Sequence, residues 1–239
     1  MISGMTKKVA VFDVLKEFLE KNKGEEDLVE YKVKDLLKEL GLPVPKGIVM
    51  PRDQAARMPD LSDLAYPLVV KISSTKIASK SDVGGVKVGI SDKNELKEAV
   101  IELLRFDNAE GVYVEEMAPP GLELIVGGMV DEQFGPVVML GLGGIFVEFF
   151  RDVFFALAPL TKEEALSFVK RFKAFKLFEG YRGRPTLDLE MILQIIVVVS
   201  ELMESSLIAE MDLNPVALYP KGAMILDAKM QLKKQKGIS

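Results

Sequence analysis

Residues 67–90 constrain the fold more than any other stretch, because two short apolar segments there enclose a polar loop. The first segment, 68–72, carries Lys71 inside an otherwise apolar run, and the second, 86–90, alternates apolar with other residues. These patterns predict two β-strands. The loop at 73–85 is rich in Ser, Lys and Gly, so we expect its backbone amides to wrap anionic oxygens.

Lys71 is the first candidate ligand. A lysine in an apolar strand costs free energy unless an anion meets it, which makes Lys71 a candidate phosphate ligand. The alternative is a lysine whose ammonium group snorkels to the edge of an ordinary hairpin. The residues of this segment leave both interpretations open.

The chain of 239 residues contains no histidine and no cysteine. This excludes disulfides, thiolate chemistry, the commonest general base and the usual metal ligand. The formal net charge of -5 gives no overall attraction to nucleic acid or acidic membranes. The most apolar stretch, 191–199, is too short to span a bilayer, and the N-terminus lacks the pattern of a signal peptide. We therefore expect a cytoplasmic protein that binds neither nucleic acid nor membrane.

Apolar periodicity predicts an α+β chain with antiparallel sheets and without a clean linker. Neither a Walker P-loop nor a dinucleotide-binding glycine fingerprint is present. The predicted helices lie at about 8–21, 29–40, 92–104, 161–172 and 187–203. Besides the two strands above, strands are predicted at 47–50, 111–116, 123–129, 136–140, 145–149, 153–158, 207–213 and 222–229, the last two flanking a turn at Asn214-Pro215.

Two segments combine acidic residues with turns. In 112–128 a Pro-Pro turn precedes Glu123, whose carboxylate stands beside leucines. An unpaired carboxylate is costly there, so Glu123 either accepts hydrogen bonds from ribose hydroxyls or forms a structural ion pair. In 141–153 the glycines permit close approach of a ligand; the alternative is a tight hairpin with a surface ion pair. The charged residues of this second segment are Glu148, Arg151 and Asp152.

A candidate metal site lies near the C-terminus. Asp212 and Asn214 are two residues apart on a predicted strand and therefore share a face, and Asp227 lies on the next predicted strand. Such oxygens suit Mg²⁺, which takes few protein ligands plus phosphate oxygens. An Asx turn before Pro215 would explain Asn214 without a metal, but the pairing with Asp227 favours the metal. Taken together, these clusters predict a nucleotide–Mg²⁺ cleft between two sheets.

Six short motifs of this chain carry a resemblance to a known protein family. They closely resemble the ATP-grasp β subunit of ADP-forming acetyl-CoA (acyl-CoA) synthetases, which are relatives of succinyl-CoA synthetase. The resemblance runs in the same order from about Glu30 to Met230. The motifs are PLVVKI (67–72), KSDVGGVKVG (80–89), GLGGIFVE (141–148), LAPL (157–160), GYRGRP (180–185) and DLNPV (212–216).

The resemblance implies an ATP-grasp fold with two α+β subdomains and a nucleotide cleft between them. The N-terminal helices, 1–45, would pack on the larger subdomain. Residues 46–118 would form the smaller lid subdomain, and 119–239 the larger subdomain with the metal site.

The same resemblance implies an acid–thiol ligase subunit for the reaction acyl-CoA + ADP + phosphate ⇌ acid + CoA + ATP. Its cofactors would be ATP or ADP and Mg²⁺. A CoA-binding α subunit would form the acyl phosphate and carry a phosphohistidine, in an α₂β₂ assembly.

By matching motifs, Lys71 would contact the nucleotide phosphates, and the loop at 79–85 would close over them as a flap. The residues implied in nucleotide binding are Lys71, Lys80, Gly84, Gly85, Glu115, Glu116, Met117 and Glu123, with 115–117 as the adenine hinge and Glu123 on the ribose. Asn214 and Asp227 would hold Mg²⁺, with Asp212 beside them.

Two positions depart from the family's pattern. The relay histidine of the β subunit is replaced by Ser79, and an arginine two residues before the Ala-Pro pair is replaced by Ala156. A serine cannot carry a phosphoryl group as reversibly as an imidazole does. Two alternatives therefore remain: a nucleotide-sensing ATP-grasp module without transferase activity, and another ATP-grasp acid–thiol or amine ligase.

Overall fold

A computed structural model describes residues 2–55, 57, 61–77, 79–144, 153–180, 183 and 185–233, with side chains from Val11 onward. The helices are α1 (Ile2–Lys21), α2 (Glu30–Glu39), α3 (Arg52–Ala55), α4 (Lys93–Leu103), α5 (Lys162–Lys170) and α6 (Leu189–Glu204), and a 3-10 helix covers Lys173–Leu177. The strands are β1 (Asp27–Leu28), β2 (Gly47–Pro51), β3 (Leu68–Ser73), β4 (Val86–Ile90), β5 (Gly111–Glu116), β6 (Leu122–Asp131), β7 (Gly135–Leu142), β8 (Val153–Leu157), β9 (Ile208–Leu218), β10 (Ala223–Ile225) and β11 (Ala228–Leu232).

The chain divides into two compact units. The large unit contains Met1–Leu28, Lys32–Val44 and Pro120–Ser239, and the small unit contains Val29–Tyr31 and Pro45–Pro119. The sequence-based ranges 1–45, 46–118 and 119–239 remain a prediction. The structure also assigns the first turn of α2 to the small unit, which those ranges did not anticipate.

The small unit is an antiparallel sheet in the order β2-β5-β3-β4. One face packs on α4 through Leu68, Val70 and Ile72 of β3. Because side chains alternate along a strand, Lys71 points to the opposite face. The N-cap of α4 is Asp92, whose carboxylate accepts hydrogen bonds from two amides of the first helical turn.

The large unit is built on a sheet in the order β1-β11-β9-β6-β7-β8, with β10 paired to β9. Helix α6 packs on β6, β7 and β9, and it is apolar on most of its surface, as its sequence predicts. Asp188 caps the start of α6 by accepting a hydrogen bond from the Met191 amide. Among the described residues, no helix is both long and apolar enough to cross a membrane.

Several predicted boundaries of helices and strands are wrong. Asn214-Pro215 is not a turn between strands, because β9 continues through it as far as Leu218. The predicted strand 222–229 is two strands, β10 and β11, so Asp227 lies between strands rather than on one. Helix α1 begins at Ile2 instead of residue 8. The predicted strand 145–149 and the residues Glu148, Arg151 and Asp152 lie outside the described residues.

Candidate nucleotide and metal sites

The face of the small sheet opposite α4 carries a group of four buried charged side chains. The Lys71 ammonium lies 2.6 Å from Glu30 Oε1 and 2.7 Å from Glu115 Oε1, and the Lys80 ammonium lies 2.5 Å from Glu30 Oε2. The exposed fractions are 7% for Lys71, 8% for Lys80, 6% for Glu30 and 2% for Glu115. We call these four residues the charged cluster. It brings together three residues that the sequence predicted and one, Glu30, that it did not.

Lys71 therefore meets an anion, as its place in an apolar strand required, but the anions are carboxylates of this chain. The alternative of a lysine that reaches the sheet edge is wrong, because its ammonium is enclosed between two glutamates. Lys80 joins the loop at 79–85 to the same glutamate that holds the strand lysine.

Glu30 and Lys34 are the charged residues that sequence reasoning missed. They lie one helical turn apart on α2, and both are buried: Lys34 is 1% exposed. The Lys34 ammonium donates a hydrogen bond of 2.8 Å to the Leu226 carbonyl, next to Asp227. The sequence held a signal, because Glu30 and Lys34 fall on the apolar face of α2 beside Val33 and Leu37.

The loop at 79–85 closes on itself. The Gly85 amide donates to the Lys80 carbonyl at 2.7 Å, and the Gly84 amide donates to the Ser81 carbonyl at 3.2 Å. These two glycine amides are used inside the loop, and the expectation that the backbone amides of 73–85 wrap anionic oxygens stays a prediction. Gly84 has a φ of +73°, a conformation that favours glycine. Ser79 is half-buried at the start of the loop.

The predicted adenine hinge, Glu115 to Met117, lies at the end of β5. Its Glu116 amide donates to the Lys46 carbonyl and its Met117 amide donates to the Pro67 carbonyl, each at 2.9 Å. The side chain of Glu115 faces Lys71 in the charged cluster, while a carboxylate oxygen of Glu116 accepts the Ala65 amide. The two hinge amides therefore donate within the sheet in this conformation. Met117 is exposed.

Glu123, the predicted ribose ligand, lies at the start of β6 in the large unit. The Gly143 amide donates to its carbonyl at 2.8 Å, and a Cβ on Gly144 would stand 2.6 Å from Glu123 Oε2. Among the described residues, the Glu123 carboxylate makes neither a hydrogen bond nor an ion pair. The glycines of the 141–144 segment thus make room for Glu123 itself.

The three predicted metal ligands come together around β9. The Asn214 side chain hydrogen-bonds the Asp212 carboxylate, and the Asn214 amide donates to the Asp227 carbonyl at 3.2 Å. Asp227 Oδ1 accepts the Ala228 amide at 3.0 Å. Asp212 pairs across the strands with Gly127 and with Lys229. The three residues thus lie near one another, Asp227 in a loop, and their role as metal ligands stays a prediction.

The surroundings of the Asp212 carboxylate favour a bound cation. Its Oδ1 atom is buried and has no hydrogen-bond partner among the described residues. Burial raises the pKa of the Asp212 carboxyl, against the opposing effects of Lys229 and of the Asn214 hydrogen bond. A buried carboxylate oxygen without a donor is costly unless a cation meets it.

This donor set fits Mg²⁺. In the part of the chain that the structure describes, no group of three or more acidic, histidine or cysteine side chains could hold a metal. Mg²⁺ does not require such a group, because it is usually bound by one or two carboxylates and completes its octahedron with water and phosphate oxygens. Asp212, Asn214 and Asp227 have the oxygen atoms for such a partial shell, and Asp212 Oδ1 is unpartnered among the described residues.

The chain consists of two α+β units, each built on an antiparallel sheet, with the charged cluster in the small unit and Asp212 in the large unit. A sequence model of the ATP-grasp domain matches residues 20–232. The chain therefore belongs to the ATP-grasp family, in the group of ADP-forming acetate–CoA ligases and their β subunits that the following comparisons identify.

Two relatives illustrate that group. Acetate–CoA ligase (ADP-forming) I subunit beta of Pyrococcus furiosus is 42% identical over 228 residues, which cover 91% of this chain and 97% of that subunit. Acetate–CoA ligase (ADP-forming) II of Archaeoglobus fulgidus is 38% identical over 209 residues, which cover 87% of this chain but 31% of that protein. The chain thus spans nearly a whole separate β subunit and about a third of a single-chain ligase.

Comparison with solved structures identifies the same group of enzymes. Acetyl-coenzyme A synthetase 1 of Candidatus Korarchaeum cryptofilum, in complex with coenzyme A and Ca-AMPCP, is 40% identical with a TM-score of 0.82, covering 92% of this chain and 99% of that chain. The same enzyme in complex with coenzyme A and Mg-AMPPCP matches with a TM-score of 0.77. The predicted family and ATP-grasp fold are confirmed.

Proposed function

We propose that this chain is the nucleotide-binding β subunit of an ADP-forming acyl-CoA synthetase, which couples cleavage of an acyl-CoA to formation of ATP from ADP and phosphate. The observation that carries the proposal is the match along 97% of a separate β subunit, at 42% identity. The charged cluster and the Asp212 site supply the two kinds of group that a nucleotide–Mg²⁺ complex needs.

Lys71 and Lys80 bind the nucleotide phosphates, because their ammonium groups are the cations of the small unit's charged face. Ammonium groups neutralise negative charge as a phosphoryl group moves. Glu123 accepts hydrogen bonds from the ribose, since its carboxylate is unpaired among the described residues. The segment 115–117 lies beside the adenine.

Asp212, Asn214 and Asp227 hold Mg²⁺. The ion, if bound there, would neutralise the negative charge of the nucleotide phosphates. The chain's own contribution is to fix the ligands: the Asn214 amide bonds the Asp227 carbonyl, and its side chain orients the Asp212 carboxylate. Lys34 supports the loop before Asp227 through the Leu226 carbonyl.

A CoA-binding α subunit completes the enzyme, in an α₂β₂ assembly. This chain has no histidine, so a phosphohistidine intermediate must form on the partner. The acyl-CoA and the phosphate are therefore substrates of the complex, and ADP is the substrate that this chain binds. The proposal draws support from the name of the Pyrococcus relative as a β subunit.

Ser79 favours a second candidate, a nucleotide-sensing module that binds ATP without transferring its phosphoryl group. Ser79 stands where the resembling family has a relay histidine, and Ala156 stands where that family has an arginine. In this second candidate the chain keeps nucleotide binding despite both replacements and has lost turnover.

Co-purification from the native source, followed by an assay with acyl-CoA, ADP and phosphate, separates the two candidates. The first candidate predicts a bound CoA-binding chain and ATP formation. A chain that binds Mg-ADP, yet forms no ATP with any co-purifying protein, supports the sensing module.

A further inference from the structure

We infer that Glu30 is a positioning residue that fixes both phosphate-binding lysines, one through each of its carboxylate oxygens. This inference rests on the proposed nucleotide site, and it adds to that site a residue that acts through the two lysines. Glu30 Oε1 holds the Lys71 ammonium at 2.6 Å, and Glu30 Oε2 holds the Lys80 ammonium at 2.5 Å.

The two lysines come from different parts of the small unit. Lys71 lies on β3, in the middle of the sheet, and Lys80 belongs to the loop at 79–85. Glu30 lies at the start of α2, 41 residues before Lys71 and 50 before Lys80 in sequence. One carboxylate therefore fixes the loop to the strand, and the spacing between the two ammonium groups depends on it.

Stability alone does not explain this arrangement. Buried ion pairs pay a desolvation penalty that often equals or exceeds their mutual attraction, and apolar side chains of similar volume serve the fold equally well. A cluster of two lysines and two glutamates nevertheless occupies this face, and it is almost entirely buried. Preorganised cations are the feature that electrostatic stabilisation of a transferring phosphoryl group requires.

Neighbouring contacts hold Glu30 in place. Tyr31, the next residue, packs against Tyr113 of β5 with a distance of 6.3 Å between ring centroids. A Cβ on Gly47 would stand 2.5 Å from the Tyr113 hydroxyl oxygen, so the glycine on β2 leaves the room that Tyr113 occupies. The first turn of α2 is thereby seated on the face that carries Lys71.

The variant Glu30→Gln tests the inference, because it removes the charge and keeps the shape. Trypsin cleavage after Lys80 reports release of the loop, since a lysine must leave its ion pair to enter the protease. Cleavage after the exposed Lys76 serves as the internal reference for protease activity, and cleavage after the buried Lys34 reports general unfolding. Glu102→Gln is the matched control variant, because it breaks the exposed Lys87–Glu102 pair of the same unit.

We expect Glu30→Gln to raise the ratio of cleavage after Lys80 to cleavage after Lys76 by about tenfold or more, the effect of weakening a hydrogen bond to a charged group. Glu102→Gln should leave this ratio unchanged. An unchanged ratio in Glu30→Gln would overturn the inference, whether or not the complex forms ATP.

A second arm measures the effect on the reaction. Removing one negative charge leaves the lysines attractive to phosphate, so the KM for ADP in the complex should not rise, while kcat should fall by about tenfold or more. An unchanged kcat, or a higher KM at constant kcat, would contradict positioning. If Glu30→Gln does not fold, Glu30→Asp replaces it in both arms, because it keeps the charge but is too short to reach both lysines.

A wild-type complex that forms no ATP would refute the proposed function and leave the cleavage arm intact. The two failures are therefore distinguishable.

Discussion

Lys71 belongs both to the buried part of the small unit and to the proposed nucleotide site. Its ammonium lies between Glu30 and Glu115, and all three side chains are buried. The requirement for an anion was predictable from an apolar strand, but the identity of that anion was not. It depends on α2, which is distant in sequence and meets β3 only in the folded small unit.

We predict that Lys71→Met destabilises the chain strongly. The substitution leaves Glu30 and Glu115 buried with one cation too few, and breaking a buried ion pair costs about 3–5 kcal/mol. Lys87→Met, which removes the exposed partner of Glu102, should cost about 0–1 kcal/mol. Urea unfolding of both variants measures the difference, and equal losses would contradict the assignment.

A double variant separates stability from binding. Lys71→Met with Glu115→Gln restores the balance of charge, because Glu30 keeps its contact with Lys80. We expect much of the lost stability to return while ADP affinity stays reduced by about 1.5–3 kcal/mol, the value of a hydrogen bond to a charged group. If calorimetry shows wild-type ADP affinity in the double variant, Lys71 is purely structural.

Asp212 gives a prediction for pH. Burial raises its pKa above the usual 3.8, so the folded chain holds this proton more tightly than the unfolded chain does. The resulting contribution to stability is full below 3.8 and is lost as the pH rises through the folded-state pKa. Asp212→Asn cannot lose a proton there. The free energy of unfolding of Asp212→Asn, relative to that of the wild type, should therefore increase with pH over that window. Denaturation at several pH values measures this difference. A difference that does not change with pH would contradict the prediction.

Asp227 gives a prediction for the metal. Few protein oxygens bind Mg²⁺ in sites of this kind, so Asp227→Ala should reduce the dependence of ADP binding on Mg²⁺. The control variant is Asp53→Ala, because Asp53 is exposed. Asp188→Ala is unsuitable, because Asp188 caps α6. Identical ADP affinity with and without Mg²⁺ in the wild type would refute the metal site.

At the scale of elements, local patterns predicted the helices and most strands. The Thr161–Glu164 capping box and the apolar length of α6 are present as expected. The path of β9 was not predictable from local patterns, since Asn-Pro normally marks a turn and here lies within a strand held by β6 and β11. Asp212 and Asn214 still lie close together, as predicted from their spacing, because both belong to that strand.

Helix α2 shows why part of the site escaped prediction. Its sequence indicates an amphipathic helix, and charged residues on such a helix are expected at the surface. Glu30 and Lys34 are instead buried, and each bonds a partner far away in sequence. Their place on the apolar face of α2 distinguishes them from the exposed Lys38, but the partners that they bond are visible only in the folded chain.

The loop at 79–85 carries its own prediction. Phosphoryl relay needs an imidazole, whereas a serine would form a stable ester. Ser79→His should therefore raise phosphoryl transfer between the partner and ADP and place acid-labile label on this chain. The wild-type chain should remain free of acid-labile label when the complex is incubated with labelled phosphate and acyl-CoA and its chains are separated. Such label on the wild-type chain would contradict the prediction.

At the scale of the whole molecule, the family was predictable because its motifs are specific and follow one order along the chain. The comparisons confirm the ATP-grasp fold over residues 20–232. The acyl group was not predictable, because the residues that choose it belong to another chain in the proposed complex.

Reconstitution tests the central claim most directly. A fixed amount of the separately purified CoA-binding chain is titrated with this chain in the presence of acyl-CoA, ADP, phosphate and Mg²⁺, and the initial rate of ATP formation is measured. We predict no ATP from either chain alone and a rate that rises with this chain until the two are equimolar. ATP formation by the CoA-binding chain alone, or none at any ratio although both chains are folded, would contradict the assignment of this chain as the nucleotide-binding β subunit.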